Sequence, residues 1–278
     1  MIARATTWWT ILRICLEERL VYRGDFALGT LMRFLPIVTQ IFLWGAIFTA
    51  SGKSVLVGYT HNDIIAYFLL TMITRAFSSM PGLASGIARE VREGTIKKYL
   101  IQPIDLVGFL LLSRIAHKLV YYVVALVPFA LVFYLWRDFF SGWPDGPTLM
   151  AFFASLIMSF LLGFFLECTI GMISFWFLEV SSLLFVYMLF NFFLSGHMFP
   201  LDIFDSVPGV GGVVVRGVIE FLPLKYLAYF PSAVFLGKIT GDELTRGLLI
   251  QLAWVVFFIV TCRVAYARGI RRYSGFGG

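Results

Sequence analysis

Charge is what this sequence has least of. Asp, Glu, Lys and Arg together make up 14% of its 278 residues, against roughly a quarter in an ordinary soluble domain. Several stretches of about 18 or more residues run almost free of charge, the length needed to cross ~30 Å of hydrocarbon. A water-soluble globule is thereby excluded. Cysteine is scarce as well: Cys15, Cys168 and Cys262 stand far apart, a spacing from which neither a disulfide framework nor a metal site follows. The histidines His61, His117 and His197 are isolated, so neither a zinc triad nor a His-based catalytic group is expected. There is no GxxxxGK[ST] loop, and the glycines between Pro208 and Gly217 are not followed by Lys-Ser or Lys-Thr, so no nucleotide site is expected here. Carboxylate pairs such as Glu17–Glu18, Glu90–Glu93 and Asp242–Glu243 lie in charged, surface-like segments. The chain therefore reads as a non-enzyme.

What is present instead is apolar bulk: 60% hydrophobic residues, 30 of them Phe, and a mean hydropathy of +0.88. The formal charge of +6 is spread over short segments between apolar runs and forms no single stripe, which argues against nucleic acid. Residues 1–25 hold four Arg, two Glu and an Asp, a pattern unlike a cleavable signal peptide.

The expected fold is an all-α polytopic membrane protein with about six spans in a single permease-sized domain, residues 1–278. Residues 4–24 read as an amphipathic interfacial helix, with Trp8, Ile11, Leu12, Cys15 and Leu16 at helical spacing among charges. Spans are expected at about 28–50, 63–84, 106–135, 148–175, 180–198 and 248–267. Pro128 is expected to interrupt or tilt the third. Residues 51–62 read as a short polar link and 136–147 as a turn-rich one. Residues 199–247 are too broken by Pro, Gly and charge for a clean span, and a re-entrant pair is expected within them at 207–236. Their apolar pieces, about 210–222 and 226–236, suit a re-entrant pair that dips into the bilayer and returns. Residues 268–278 form a basic tail.

Lys and Arg concentrate in the N-terminal segment (Arg4, Arg13, Arg19, Arg23), in residues 86–103 (Arg89, Arg92, Lys97, Lys98) and in the tail (Arg268, Arg271, Arg272). Six spans place both termini on one side, and the positive-inside bias makes that side cytoplasmic. Two charges fall inside spans. Arg75 is expected near the inner face or paired within protein. Glu167 is expected either on a polar translocation surface or bonded to Thr169, Ser159 or another helix.

Residues 86–103 carry the sharpest local signal, with six charges in the ten positions from Arg89 to Lys98. Gly86 to Leu100 reads as a short helix displaying charge to a soluble partner, ended by Gln102-Pro103. An ordinary positive-inside loop is the alternative.

The chain as a whole resembles the permease subunit of type-2 ATP-binding-cassette exporters. The resemblance is carried by Glu90, Arg92, Glu93-Gly94-Thr95, Leu100 and Pro103 after the second span, and by Ser195-Gly196-His197-Met198-Phe199-Pro200 after the fifth. It continues in Leu222-Pro223-Leu224-Lys225-Tyr226, Tyr229-Phe230-Pro231, Gly237-Lys238-Ile239, Gln251 with Trp254, and Arg271-Arg272-Tyr273-Ser274-Gly275. It implies that two permease chains pair, as a homodimer or with a relative, and that cytoplasmic ATPase subunits dock beneath them. ATP and Mg would be bound in those partners and no cofactor by this chain. Residues 86–100 would be the coupling helix, with Arg89, Glu90, Arg92, Glu93, Gly94, Thr95, Lys97, Lys98, Leu100 and Pro103 as coupling residues. The chain departs from the family pattern at Glu93 and Gln102, which bears on the ATPase it accepts. A pathway wall would draw on Phe34, Phe42, Phe68, Phe77, Phe190 and Phe193 with Glu167, aromatic surfaces suited to an amphipathic, lipid-like or glycan substrate. A bacterial inner membrane and outward transport are implied by the resemblance alone. A secondary carrier or channel would show inverted repeats or a line of polar residues, and a membrane enzyme clustered ionisable groups.

Overall fold

The computed structural model describes residues 2–21, 23–140, 142–177 and 179–273, with side chains for all of these except 2–5, 19–35 and 206. The expected tail is thus described as far as Tyr273. Residues 274–278 and the side chains of Arg4, Arg19, Arg23 and Phe34 lie outside the described residues.

The helices are α1 (Ile2–Val21), α2 (Arg23–Ser51), α3 (His61–Ser78), α4 (Leu83–Arg92), α5 (Lys97–Leu100), α6 (Leu106–Leu135), α7 (Gly146–Met172), α8 (Ser181–Leu194), α9 (Val210–Phe221), α10 (Tyr229–Phe235) and α11 (Gly241–Arg272). Short 3₁₀ turns cover Arg137–Phe139, Ile173–Phe175, Leu201–Ser206 and Pro223–Leu227. Two strands are described, β1 (Val55–Leu56) and β2 (Tyr59–Thr60), which pair antiparallel with Val55 opposite Thr60. This hairpin sits in what the sequence suggested was a plain polar link. Its two-residue turn, Val57 (φ 51°) and Gly58 (φ 77°), has the positive dihedrals that match strand twist.

Among the described residues, four helical stretches are long and apolar enough to cross a membrane: His61–Arg92, Leu106–Leu135, Gly146–Phe175 and Gly241–Arg272. Pro36–Ser51 and Ser181–Leu194 are shorter apolar helices. At 14 residues, α8 is about 21 Å long, shorter than the run 180–198 suggested, because the chain leaves the helix at Ser195 and turns through Gly196 at φ 81°. Helix α6 continues through Pro128 without a break.

The chain divides into two compact units. The first comprises Met1–Thr39 and Ile96–Asp138. Here α1 packs on α6, with Cys15 buried and Trp8 against Gly108, where a Cβ would come within 3.0 Å of the indole ring. Asp105 caps α6, its carboxylate accepting from the Gly108 amide at 2.9 Å, which satisfies one of the orphan donors at the helix start.

The second unit comprises Gln40–Thr95 and Phe139–Gly278 and is built around α7, which packs against α3, α4, α10 and α11. Small residues bring backbones together on α7 and make room for aromatic rings on α11. A Cβ on Gly163 would lie 2.1 Å from the Ser78 carbonyl oxygen, one on Gly171 3.1 Å from the Ala84 Cα, one on Gly247 2.3 Å from the Phe230 ring, and one on Gly269 2.5 Å from the Phe175 ring. Such close approach is the means of association where lipid supplies no hydrophobic drive between helices. Helix α3 is buried on every side from Ile64 to Thr71, as expected of a helix apolar all round. A capping box starts it: Thr60 Oγ1 accepts from the Asp63 amide at 3.2 Å, and Asp63 Oδ2 accepts from the Thr60 amide at 3.1 Å. It ends at Ser78, earlier than expected, because Pro81 disfavours helix at the preceding residue and Gly82 turns at φ 72°.

These contacts give the second unit two distinct ends. The hairpin, the Leu201–Ser206 turn, the α9–α10 pair and the start of α11 gather at one; α4, the end of α7 and the end of α11 gather at the other.

Candidate functional site

At the second of these ends lies the segment with the strongest local charge pattern. Helix α4 buries Leu83, Ala84, Ile87, Ala88 and Val91 against α7, a stripe recurring at helical spacing. Its opposite face exposes Ser85, Arg89 and Arg92, followed by Glu93. The expected single helix 86–100 is two pieces. Gly94, at φ 72°, ends α4, its amide donating to the Val91 carbonyl at 3.2 Å; this left-handed closure suits glycine. Thr95 then donates its hydroxyl to the Glu90 carbonyl at 3.4 Å. Glu90 itself is half-buried.

The coupling residues divide between the two units, since Thr95 ends a stretch of one and Ile96 begins a stretch of the other. In the unit containing α5, Lys97 and Lys98 are exposed, the Lys98 ammonium lies 4.7 Å from the Tyr99 ring centre, Leu100 is half-buried and Pro103 exposed.

Arg92 pairs with Glu179 at 3.3 Å, and the other Glu179 oxygen accepts from the Ser181 amide at 2.9 Å at the start of α8. Hydrogen bonds from the Ser181 hydroxyl and amide, with Arg92 adding to them, hold this carboxyl below its ordinary range. Glu179 thus joins α4 to α8. A cavity of about 370 Å³ lies between them, lined by Gly82, Ser85, Arg89, Arg92, Ser181 and Leu184 among others.

At the opposite end the polar chemistry is denser than the sequence suggested. Asp202 accepts from two phenols, Tyr59 at 2.6 Å and Tyr229 at 2.5 Å. Burial, reinforced by this carboxylate, pushes the Tyr59 phenol up. Lys238 donates to the Gly58 carbonyl at 2.8 Å and to Asp63 at 3.1 Å, while standing 4.8 Å from the Tyr59 ring centre. Tyr67 donates to the Gly196 carbonyl. These bonds tie the hairpin to the Leu201–Ser206 turn and to α10.

Between the two ends, Gln251 is fully buried. It accepts from the Ser155 hydroxyl at 2.9 Å and donates to the Ser155 carbonyl, the Ser159 hydroxyl oxygen and the Tyr226 carbonyl at 3.0, 3.1 and 3.3 Å. Ser159 donates to the Tyr226 carbonyl at 2.7 Å. The network joins α7, α11 and the turn before α10 with its polar atoms engaged, as burial demands.

The pathway candidates are dispersed. Phe68 is buried in a cluster with Trp44, Tyr59, Ile64 and Tyr67, and Phe77 is half-buried against the main core. Phe42, Phe190 and Phe193 are exposed, and the Phe34 side chain lies outside the described residues. Glu167 is half-buried on α7; the Thr169 hydroxyl donates to the Phe165 carbonyl and that of Ser159 to Tyr226. Arg75 is on the exposed side of α3. Sequence reasoning passed over Tyr59, Asp63, Ser155, Glu179 as a bridging acid, and Asp202. The one available signal for the last was a lone carboxylate in the apolar run Phe199–Phe204.

A family model described as ABC-2 family transporter protein matches residues 34–277. No curated protein matches the chain significantly.

Proposed function

Since the chain belongs to the ABC-2 family of transporter proteins, we propose that it is the permease of an ATP-driven exporter, moving an amphipathic, lipid-like or glycan substrate. In this reading separate ATPase subunits hold ATP and Mg and dock on the coupling segment, residues 86–100, and a second permease chain completes the pathway. The supporting observation is α4 itself: its apolar stripe is used up against α7 while Arg89 and Arg92 face outward beside the Gly94 turn. They share an end of the unit with Arg268, Arg271 and Arg272 of α11, the end that the positive-inside bias assigns to the cytoplasm.

The four long helices, with α2 and α8, make up six spans in this reading, α1 lies in the headgroup plane, and α9–α10 form the re-entrant pair. Both termini are cytoplasmic in a bacterial inner membrane. The exposed apolar surface of α8, including Phe185, Leu189, Phe190 and Phe193, together with Phe42 of α2, faces lipid, substrate or the second chain. ATP-driven closure of the ATPases moves the permease only through contacts that differ between its two arrangements.

The test is co-purification of the full-length chain with an ATPase from its native membrane. Charge reversal at Arg92 and Lys97 (Arg92→Glu with Lys97→Glu) is expected to lower the recovered ATPase several-fold while leaving the chain folded. Recovery equal to the parent's refutes docking at this segment.

A further inference from the structure

The end of the second unit opposite α4 holds a second cavity, about 260 Å³, between the Leu201–Ser206 turn, α9, the Pro223–Leu227 turn and the first turns of α11. Seven charged residues line it, and five are already engaged. Asp202 is held by two phenols, Arg216 pairs with Asp205 at 3.2 Å, and Lys225 with Glu220 at 2.6 Å. The remaining two, Glu243 and Arg246, have no hydrogen bond or ion pair among the described residues, although Arg246 lies near enough to the Tyr226 phenol to act on it electrostatically. Both are exposed and lie three positions apart on α11, hence on one face.

The cavity therefore offers one uncommitted carboxylate and one uncommitted guanidinium side by side, above an apolar wall that includes Ile219, Phe230 and Ile250. A purely anionic group would meet Arg246 but also the carboxylates of Glu243 and of Asp202, whose phenol partners carry no neutralising charge, and a purely cationic one would meet Arg246. A ligand with a phosphate and an ammonium a short distance apart satisfies both. The guanidinium fork suits phosphate oxygens, and the volume fits a headgroup more than a drug-sized molecule. Of the lining residues Ile250 is an exposed apolar side chain, and Phe221 and Leu249, next in sequence to the lining residues Glu220 and Ile250, are exposed and apolar as well; such side chains would accompany an acyl chain into the bilayer.

We propose that this cavity binds the zwitterionic headgroup of a phospholipid of the phosphoethanolamine type, with Arg246 on the phosphate and Glu243 on the ammonium. The inference requires only that the chain resides in a membrane and stands apart from the export reading.

Lipid binding to the purified full-length chain in detergent, followed by native mass spectrometry, tests it. Phosphatidylethanolamine, phosphatidylglycerol and soluble glycerophosphoethanolamine are titrated separately. The parent is expected to prefer phosphatidylethanolamine to phosphatidylglycerol, and Arg246→Gln or Glu243→Gln to weaken its binding about tenfold, the order expected for one charge-assisted hydrogen bond. Arg246→Lys and Glu243→Asp, which keep the charges, should retain the preference. Equal binding of the two lipids by the parent, or unchanged binding by both Gln variants, overturns the site. Glycerophosphoethanolamine binding as tightly as the lipid overturns the lipid assignment in favour of a soluble ligand. Recovery of an ATPase by the same variants, measured in parallel, is expected to match the parent, so failure here is separable from failure of the docking assignment.

Discussion

Replacing Gln251 by Leu exchanges the centre of a buried polar network for an apolar side chain of similar size. The substitution removes the acceptor of the Ser155 hydroxyl and the amide group that donates to Ser155, Ser159 and Tyr226. The Tyr226 carbonyl keeps its bond from Ser159, so the principal orphan is Ser155. Interhelical hydrogen bonds in membrane proteins average ~0.6 kcal/mol and reach ~1.7. Losing these four, partly offset by the better burial of Leu, gives a cost of about 1–2 kcal/mol. For a chain of this length that corresponds to a fall in Tm of about 2–8 °C, readable by thermal unfolding in detergent. Adding Ser155→Ala removes the orphaned hydroxyl, so the double variant should be destabilised less than the sum of the single ones by at least about 0.5 kcal/mol. A Gln251→Leu variant that melts with the parent, or strictly additive costs, would refute the account of a shared network.

Gly163→Ala places a methyl group against the Ser78 carbonyl at a distance no atom pair tolerates. It should cost about 1–3 kcal/mol through overpacking, seen as a lower Tm, whereas Gly217→Ala, with open space around it, should not. Gly94→Ala forces a side chain into a left-handed turn at about 1–2 kcal/mol, and should reduce ATPase recovery alongside Arg92→Glu. Glu179 ties α4 to α8 through a carboxyl held below its ordinary value. Its contribution is therefore complete above that ordinary value, near 4.3, and fades as pH falls through the lowered one. A pH titration of Tm for the parent and Glu179→Gln should show the two curves converging on acidification from neutral pH; curves that stay parallel rule the contribution out.

The helical plan was legible because hydrocarbon length and charge spacing are written along the chain. Leu106–Leu135 appears where about 106–135 was expected, and Val210–Phe221 where about 210–222 was. Breaks were harder to see. Gly94 divides an expected single helix, and Pro81 with Gly82 ends α3 early, because a lone glycine's dihedral depends on what the flanking helices pack against. At Pro128, where tilt or interruption was expected, the helix is not interrupted, because a proline inside a long helix costs a hydrogen bond without having to end it. The polar clusters were legible only in part. Gln251 and Lys238 stood out through family likeness, but their partners Ser155 and Asp63 are ordinary residues far away in sequence, and Asp202 meets Tyr59 across 143 positions. No local pattern encodes such meetings.

The four glycine contacts that seat α3, α4 and the flanking aromatic rings on α7 and α11 leave little room for sliding within the larger unit. Close-packed backbones resist gradual deformation, so a push on the exposed arginines of α4 would be felt at the tyrosine-held hairpin as displacement of one stiff body. Such a body would lose little of a distant motor's stroke to internal give.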